Sequence, residues 1–186
     1  SGILNNYTSF TNSQNSFKLG MASVKADYAI GKVDAVVDLG FGRRAEEFSY
    51  NDGGTLAAIK QAYVSYAPSD TVKFTMGKWG THIGYELLDA YLNRNYSMDY
   101  MFSYGPFFHT GLKADITVNK NFAFMLGVAN PTDMVTASFA KKSFLGQVHL
   151  TSTNGKINGY LNYVGGKDMS DASINQIDAV ITGTVS

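Results

Sequence analysis

Several components that are common in folded proteins are absent or scarce in this chain. Its 186 residues include no cysteine, 3 prolines and 3 histidines. Without cysteine, disulfide bridges and thiolate metal sites are excluded. Lys plus Arg and Asp plus Glu number 15 each, so the formal net charge is zero. Because no basic stripe appears along the chain either, we expect no nucleic-acid partner.

Long apolar runs are also absent. No segment approaches the roughly 20 apolar residues that a membrane-spanning helix requires, and no charged start followed by an apolar core suggests a signal peptide. We therefore interpret the sequence as mature or already trimmed. Glycine (19), tyrosine (12) and phenylalanine (12) are plentiful, a composition that favours sheet. Nothing marks a linker, which predicts a single domain over residues 1–186.

Apolar and polar residues alternate with a period of two, the pattern of a strand with two different faces. Between residues 32 and 42, Val33 and Val37 share one face while Asp34 and Asp38 lie on the other. The pattern recurs and predicts about nine strands, joined alternately by short turns and longer polar loops. The strands are expected near residues 24–30, 32–42, 61–66, 72–76, 108–118, 122–128, 144–150, 157–163 and 177–185.

Strand length favours a membrane barrel over a soluble sheet. A tilted strand needs about ten residues to cross a bilayer, whereas strands of globular proteins usually have about five or six. We predict an all-β fold, an antiparallel up-and-down transmembrane β-barrel; the alternative is a soluble antiparallel barrel or sandwich. Aromatic residues near strand ends are expected to form interfacial girdles: Tyr28, Phe41, Tyr66, Phe108, Phe122 and Tyr163.

Charged residues on the polar face of the strands are candidates for lining a wet lumen. An ionised group in hydrocarbon costs several kcal/mol, so these side chains should point inward. The candidates are Lys25, Asp27, Lys32, Asp34, Asp38, Lys73, Lys113 and Asp115. The alternative is that they pair across strands as structural salt bridges in a small, filled barrel.

Residues 77–107 break the alternation and predict a long loop with aromatic and apolar residues that suit packing. Opposite charges on an inward loop would set a transverse field across a narrow pore, although they could equally serve only to anchor the loop by ion pairs. The candidates for a pore loop or constriction are His82, Glu86, Asp89, Arg94, Asp99 and His109.

The sequence offers no catalytic or metal-binding motif. The histidines lack the short spacing of metal ligands, and nothing fixes the mutual geometry of Ser97, Ser103 and His109. We therefore expect no enzymatic activity, no metal and no cofactor.

Four segments resemble a known family. They are residues 60–64 (KQAYV), 77–86 (GKWGTHIGYE), 92–97 (LNRNYS) and 105–111 (GPFFHTG). They are similar to the central signature of the Bacteroidetes-type outer-membrane barrels called β-barrel porin-2 or OmpL-like proteins. The resemblance implies a barrel in the bacterial outer membrane that passes small hydrophilic solutes, with residues 77–111 partly inside the lumen.

Members of that family are longer, and single-chain bacterial barrels close with even strand numbers. We therefore expect this domain to be part of a larger even-stranded barrel. The leading hypothesis is a porin for passive diffusion of small hydrophilic solutes or ions, in contact with outer-membrane lipid. The alternative is a non-conducting structural or docking component of a larger assembly, with a homo-oligomer or other envelope proteins as partners.

Overall fold

The strands form one continuous sheet. A computed structural model of the chain describes residues 9–138, 141–167 and 170–184. Nine strands follow one another in sequence order, each antiparallel to the next. They are β1 (Ala22–Ile30), β2 (Val33–Phe41), β3 (Ile59–Ser69), β4 (Val72–Gly80), β5 (Phe108–Asn119), β6 (Phe122–Ala129), β7 (Ser143–Thr151), β8 (Ile157–Lys167) and β9 (Ser173–Gly183). The predicted all-β, up-and-down architecture is confirmed, and within the described ranges β1 and β9 are the two edges of the sheet.

Short helices occur only in two of the longer connections of the described chain. The β2–β3 connection contains helix α1 (Arg43–Phe48) and a 3-10 turn, Gly54–Ala58. The β4–β5 loop, residues 81–107, contains a 3-10 turn, Ala90–Leu92, and helix α2 (Tyr100–Tyr104). Among the residues described, no helix has the length and apolar character needed to span a membrane.

Three strands, β3, β4 and β8, are at least four residues longer than the sequence pattern predicts. β3 continues through Pro68. The strand tolerates this proline, which lacks a backbone N–H, because the pairing of β3 with β4 is already irregular between Tyr66 and Ser69. β4 continues to Gly80, paired throughout with β5. Lys78 and Trp79 at its end are both buried, so the alternation of exposed and buried residues disappears there although the backbone pairing does not.

The last strand is shifted relative to its prediction. It was expected over residues 177–185 and runs over Ser173–Gly183. Val185, within the predicted strand, lies outside the described residues.

One face of the sheet is an apolar surface. Strand register aligns a row of apolar residues from β1 to β7: Tyr28, Ala35, Val64, Met76, Leu112, Val128 and Phe144. Many side chains on this face are exposed, Met76 by 70% and Leu126 by 59%. An exposed apolar band of this extent suits contact with hydrocarbon rather than water.

The long connections share an aromatic core at one end of the sheet. Its buried members are Phe10, Phe48, Leu88, Met98, Phe102, Phe107 and Phe108. The Phe48 ring on α1 lies 5.5 Å from that of Phe108. The prediction of Phe108 as a girdle residue was therefore wrong, because its side chain is fully buried in this aromatic core. Tyr28, Phe41 and Tyr66 are exposed near strand ends.

Asp133 fastens three connections together at this end. Its Oδ1 accepts hydrogen bonds from the backbone N–H groups of Phe107 (2.7 Å) and Phe108 (3.0 Å). Its Oδ2 accepts from the Tyr50 hydroxyl at 3.3 Å, and its carbonyl oxygen accepts from the Asn51 amide at 3.1 Å. Burial raises the pKa of the Asp133 carboxyl to about 6, although the hydrogen bonds that its two carboxylate oxygens accept act in the opposite direction.

We expect Asp133→Ala to leave the buried N–H groups of Phe107 and Phe108 without their acceptor, at a cost of about 1–3 kcal/mol for each. Amide hydrogen exchange at these two positions should accelerate. The exposed turn residue Asp70 provides the control, since Asp70→Ala should leave both exchange rates unchanged.

The same carboxyl gives a pH dependence whose sign follows from its raised pKa. The folded state binds this proton more tightly than the unfolded state, so the contribution of Asp133 to stability is greatest below about pH 4 and falls as pH rises through about 6. Asp133→Asn should remove this component. An unchanged pH profile of the free energy of unfolding would contradict the assignment.

Candidate functional site

The second face of the sheet carries lysines, carboxylates and amides in adjacent rows. Strand pairing places Lys25 opposite Asp38, and Asp38 opposite Gln61. Another row continues the polar face across the later strands: Asp115, Met125, Gln147, Asn162 and Asp178. We call this surface the polar face; the alternation of strand side chains puts it opposite the exposed apolar surface.

Most of the charged residues predicted to line a lumen lie on the polar face by register: Lys25, Asp27, Asp34, Asp38, Lys73, Lys113 and Asp115. Lys32 lies instead in the β1–β2 turn, where its Nζ donates to the Pro68 carbonyl oxygen at 2.6 Å. Gly31, with φ of 59°, forms this turn with Lys32, so Lys32 belongs to the rim of the sheet and not to its wall.

Some of these charges form ion pairs along their own strands. Lys25 Nζ lies 3.1 Å from Asp27 Oδ1, with both side chains at least half exposed. Lys113 Nζ lies 3.2 Å from Asp115 Oδ2 and is less exposed. Residues two apart on a strand share a face, which brings each pair together.

Lys60 is the centre of the buried charge network, and the sequence pattern did not identify it. Its Nζ lies 3.1 Å from Asp38 Oδ2, 2.8 Å from Asp89 Oδ1 and 3.2 Å from Ser23 Oγ. The Lys60 and Asp38 side chains are each 5% exposed. Ion pairs of this kind are held by geometry and by additional hydrogen bonds, because desolvation of both charges is costly.

A β-bulge explains why Lys60 points to the polar face. Strict alternation would place it with Ala62 and Val64 on the apolar surface. The register between β2 and β3 shifts at this point, with Leu39 opposite Ile59 but Asp38 opposite Gln61, so that Lys60 is the extra residue. A Cβ on Gly40 would lie 2.7 Å from Lys60 Cδ, so the absence of a side chain at Gly40 makes room for the lysine.

The β4–β5 loop crosses the polar face and is attached on both flanks. On one flank, Asp89 of the loop pairs with Lys60 on β3. On the other, the Gly84 N–H donates to Asp178 Oδ2 on β9 at 2.8 Å, and His82 Nε2 lies 3.2 Å from the Tyr163 carbonyl oxygen on β8. Asp178 is the middle residue of its strand, so the loop reaches well below the strand ends.

The attachment at Asp178 belongs to a hydrogen-bond chain along three strands. Gln147 Nε2 donates to Asn162 Oδ1 at 2.7 Å, and Asn162 Nδ2 donates to Asp178 Oδ2 at 2.7 Å. Asn162 and Asp178 are 1% and 4% exposed. The sequence shows that these three polar residues lie on alternating positions of β7, β8 and β9. Only the register of the three strands shows that their side chains contact one another.

His82 and His109 are brought together, with ring centroids 5.3 Å apart. His109 Nε2 lies 3.1 Å from Thr81 Oγ1. Burial lowers the pKa of His82, which favours the neutral imidazole. The described ranges contain no group of three or more His, Asp or Glu side chains that could hold a metal ion.

The remaining loop candidates do not form one cluster. Glu86 Oε2 accepts from the Asp99 backbone N–H at 2.7 Å, and the Asp99 side chain caps α2 by accepting from the Phe102 N–H at 2.6 Å. Arg94 is exposed, and its Nε donates to the Tyr85 hydroxyl at 3.3 Å. Of these candidates, Asp89 forms an ion pair with the strands, whereas Glu86 and Asp99 stabilise the loop itself.

A cavity of about 940 Å³ lies between the loop and the first strands. Both the sheet and the long connections contribute charged lining residues: Lys25, Asp38, Arg44, Lys60, Glu86 and Asp89. The arrangement provides a space lined by fixed charges of both signs beside the polar face.

We expect Lys60→Met to destabilise the fold by about 3–5 kcal/mol, because it leaves the buried Asp38 carboxylate without its cation. Lys25→Met is the matched control, since it removes a lysine from an exposed pair and should cost about 1 kcal/mol or less. The free energy of unfolding, measured by denaturant titration in one lipid or detergent system, checks both values. Equal losses for the two variants would contradict the role of Lys60.

Comparison with known proteins agrees with the geometry of the two faces. The family model described as "Putative beta-barrel porin-2, OmpL-like" matches residues 3–184. No significant match is found among curated proteins or among solved structures. The family supports an outer-membrane β-barrel with a channel or structural role. With nearly its whole length matched, and with an exposed apolar face opposite a charged one, the chain belongs to the OmpL-like β-barrel porin-2 family.

Proposed function

We propose that the protein is a bacterial outer-membrane porin, of the Bacteroidetes type, that gives passive diffusion of small hydrophilic solutes or ions through a polar lumen. The observation that carries the proposal is the mixed-charge polar face crossed by a loop that is attached at Lys60 and at Asp178. No covalent chemistry is needed, because pore width and fixed charge are sufficient to select solutes.

The two faces of the sheet indicate which side borders lipid and which side borders the lumen. Exposed residues such as Met76 and Leu126 suit lipid, whereas lysines and carboxylates in hydrocarbon would cost several kcal/mol each. The polar face therefore borders water in the lumen.

Closure of this lumen requires partners for the two edge strands. Unpaired backbone groups are not tolerated in hydrocarbon, and β1 and β9 are edges in the described sheet. We propose that further strands pair with them, so that this domain forms part of a larger even-stranded barrel.

The β4–β5 loop is proposed to set selectivity by narrowing the lumen. Glu86 and Asp89 both line the cavity between the loop and the sheet. Their carboxylates place negative charge beside the path of a solute, while Lys60 and Lys25 place positive charge on the facing strands. Opposed charges across a narrow passage bias which ions pass.

The second candidate function is a non-conducting barrel that has a structural or docking role among envelope proteins. One observation favours it: the loop shares an aromatic core with the β2–β3 connection, including Phe48, Leu88 and Phe102. A loop fixed by such a core could act as a plug. Measured conductance distinguishes the two functions.

We expect the full-length protein, purified in detergent and inserted into a planar bilayer, to give stable, ohmic conductance steps. Fixed pore geometry predicts that step size increases in proportion to bulk salt conductivity at high salt, where surface charge is screened. A correctly folded barrel that shows no steps would support the docking role instead.

We further expect Glu86→Gln combined with Asp89→Asn to reduce cation preference, because two negative charges beside the passage are lost. Two unit charges about 8 Å from a passing ion, screened by salt with a Debye length of about 8–10 Å, correspond to roughly a twofold to fivefold change in the cation-to-anion permeability ratio. The reversal potential under a salt gradient measures this ratio. Glu46→Gln combined with Asp70→Asn removes the same charge from exposed positions outside the cavity and should leave it unchanged.

A further inference from the structure

Arg44 is a buried cation for which the described chain provides no ion pair. It lies on α1 and is 8% exposed. Its neighbour Arg43 is exposed and pairs with Glu47 at 2.8 Å, whereas no described carboxylate lies within ion-pair distance of Arg44. A buried guanidinium is costly unless its charge and its N–H groups are met by partners.

The protein atoms around Arg44 use only part of its hydrogen-bonding capacity. A guanidinium carries five N–H donors. Arg44 Nε donates to the Leu88 carbonyl oxygen at 2.6 Å, and Nη2 donates to the Met98 sulfur, a weak acceptor, at 3.4 Å. The guanidinium carbon lies 4.9 Å from the centre of the Phe10 ring. These contacts hold the planar group in one orientation and leave N–H donors available.

The available donors face the cavity between the β4–β5 loop and the first strands. Arg44 lines this cavity of about 940 Å³, and none of its nitrogens is among the fully buried side-chain atoms without a partner. Among the described residues, Arg44 is therefore a cavity-lining cation whose side-chain nitrogens are not sealed off without a partner.

The other charges around the cavity are largely engaged. Lys60 is shared by Asp38 and Asp89, and Lys25 pairs with Asp27. Asp89 directs both carboxylate oxygens to Lys60, and Glu86 accepts a backbone hydrogen bond within the loop. Arg44 is thus the cation of the cavity lining that no described carboxylate contacts directly, although Asp89, Glu47 and Glu86 attract it from a longer distance.

We propose that this cavity binds the oxyanion group, a carboxylate or a phosphate, of a small solute through the free N–H donors of Arg44. The planar fork of arginine matches two oxygens of such a group, and binding supplies the anionic partner that the buried cation lacks. The remainder of the solute lies against Tyr91 and Tyr96, which also line the cavity. The inference rests on the proposed function, since it identifies a solute class for the same lumen.

Isothermal titration calorimetry of the full-length protein in detergent tests the proposal without requiring conductance. Benzoate and phenyl phosphate are the oxyanion probes, and benzamide is a neutral probe of the same size as benzoate. We expect saturable benzoate binding, at least about tenfold tighter than benzamide. Arg44→Gln should weaken benzoate binding on the order of tenfold to a hundredfold, the range for a hydrogen bond to a charged group. Arg43→Gln, on the same helix but paired and exposed, should leave it unchanged.

Arg44→Gln also removes the hydrogen bond to Leu88 and could disturb the loop, so NMR spectroscopy of the wild-type protein provides a second test. In the wild-type protein, benzoate should shift the ¹⁵N resonances of the two Arg44 Nη atoms, which carry the unused N–H groups, and benzamide should not. Equal binding of benzoate and benzamide, or no shift at Arg44, would overturn the site even if the barrel conducts. If benzoate binding depends on Arg44 but the barrel does not conduct, the binding site is supported and the porin function is contradicted.

Discussion

Backbone hydrogen bonding within an apolar environment is the constraint on which the rest of this structure depends. Each unpaired N–H or C=O in hydrocarbon costs several kcal/mol, so strands must pair along their full length. Here every strand pairs with its sequence neighbour, and the fixed alternation of side chains then separates one apolar surface from one charged surface. The polar face is therefore a consequence of the ladder, and its chemistry is set by which residues fall on that side.

Burial decides which charges on the polar face determine structure. Lys25 and Asp27 form an exposed pair whose attraction is weakened by water. Lys60 and Asp38 are nearly inaccessible, and Lys60 gains a second carboxylate from Asp89 and a hydroxyl from Ser23. A loop attached to such a centre is positioned by interactions that salt screens only slightly. The same contrast separates Arg43 from Arg44 on α1.

The strands and their faces could be predicted from the sequence because both depend on local alternation. The structure differs from the sequence-based prediction mainly where contacts between residues far apart in the sequence determine the position of a side chain. A β-bulge turns the Lys60 side chain to the polar face, and a bulge cannot be predicted from the alternation of apolar and polar residues. The Phe108 ring packs against Phe48, which belongs to another connection. Asp133 adopts a positive φ of 58° in a loop whose partners are far along the chain. The loop candidates were chosen by charge, but their partners depended on folding of the whole sheet.

Because the β4–β5 loop is attached at two places, it also links two distant strands of the sheet. It emerges from the centre of the sheet and holds β3 on one side and the midpoint of β9 on the other. Flattening the sheet would move these strands apart, and the loop would have to stretch or release a contact. Curvature of this wall is consequently coupled to loop length, so an insertion between Gly84 and Asp89 would relax the shape of the wall as well as alter what lies in front of it.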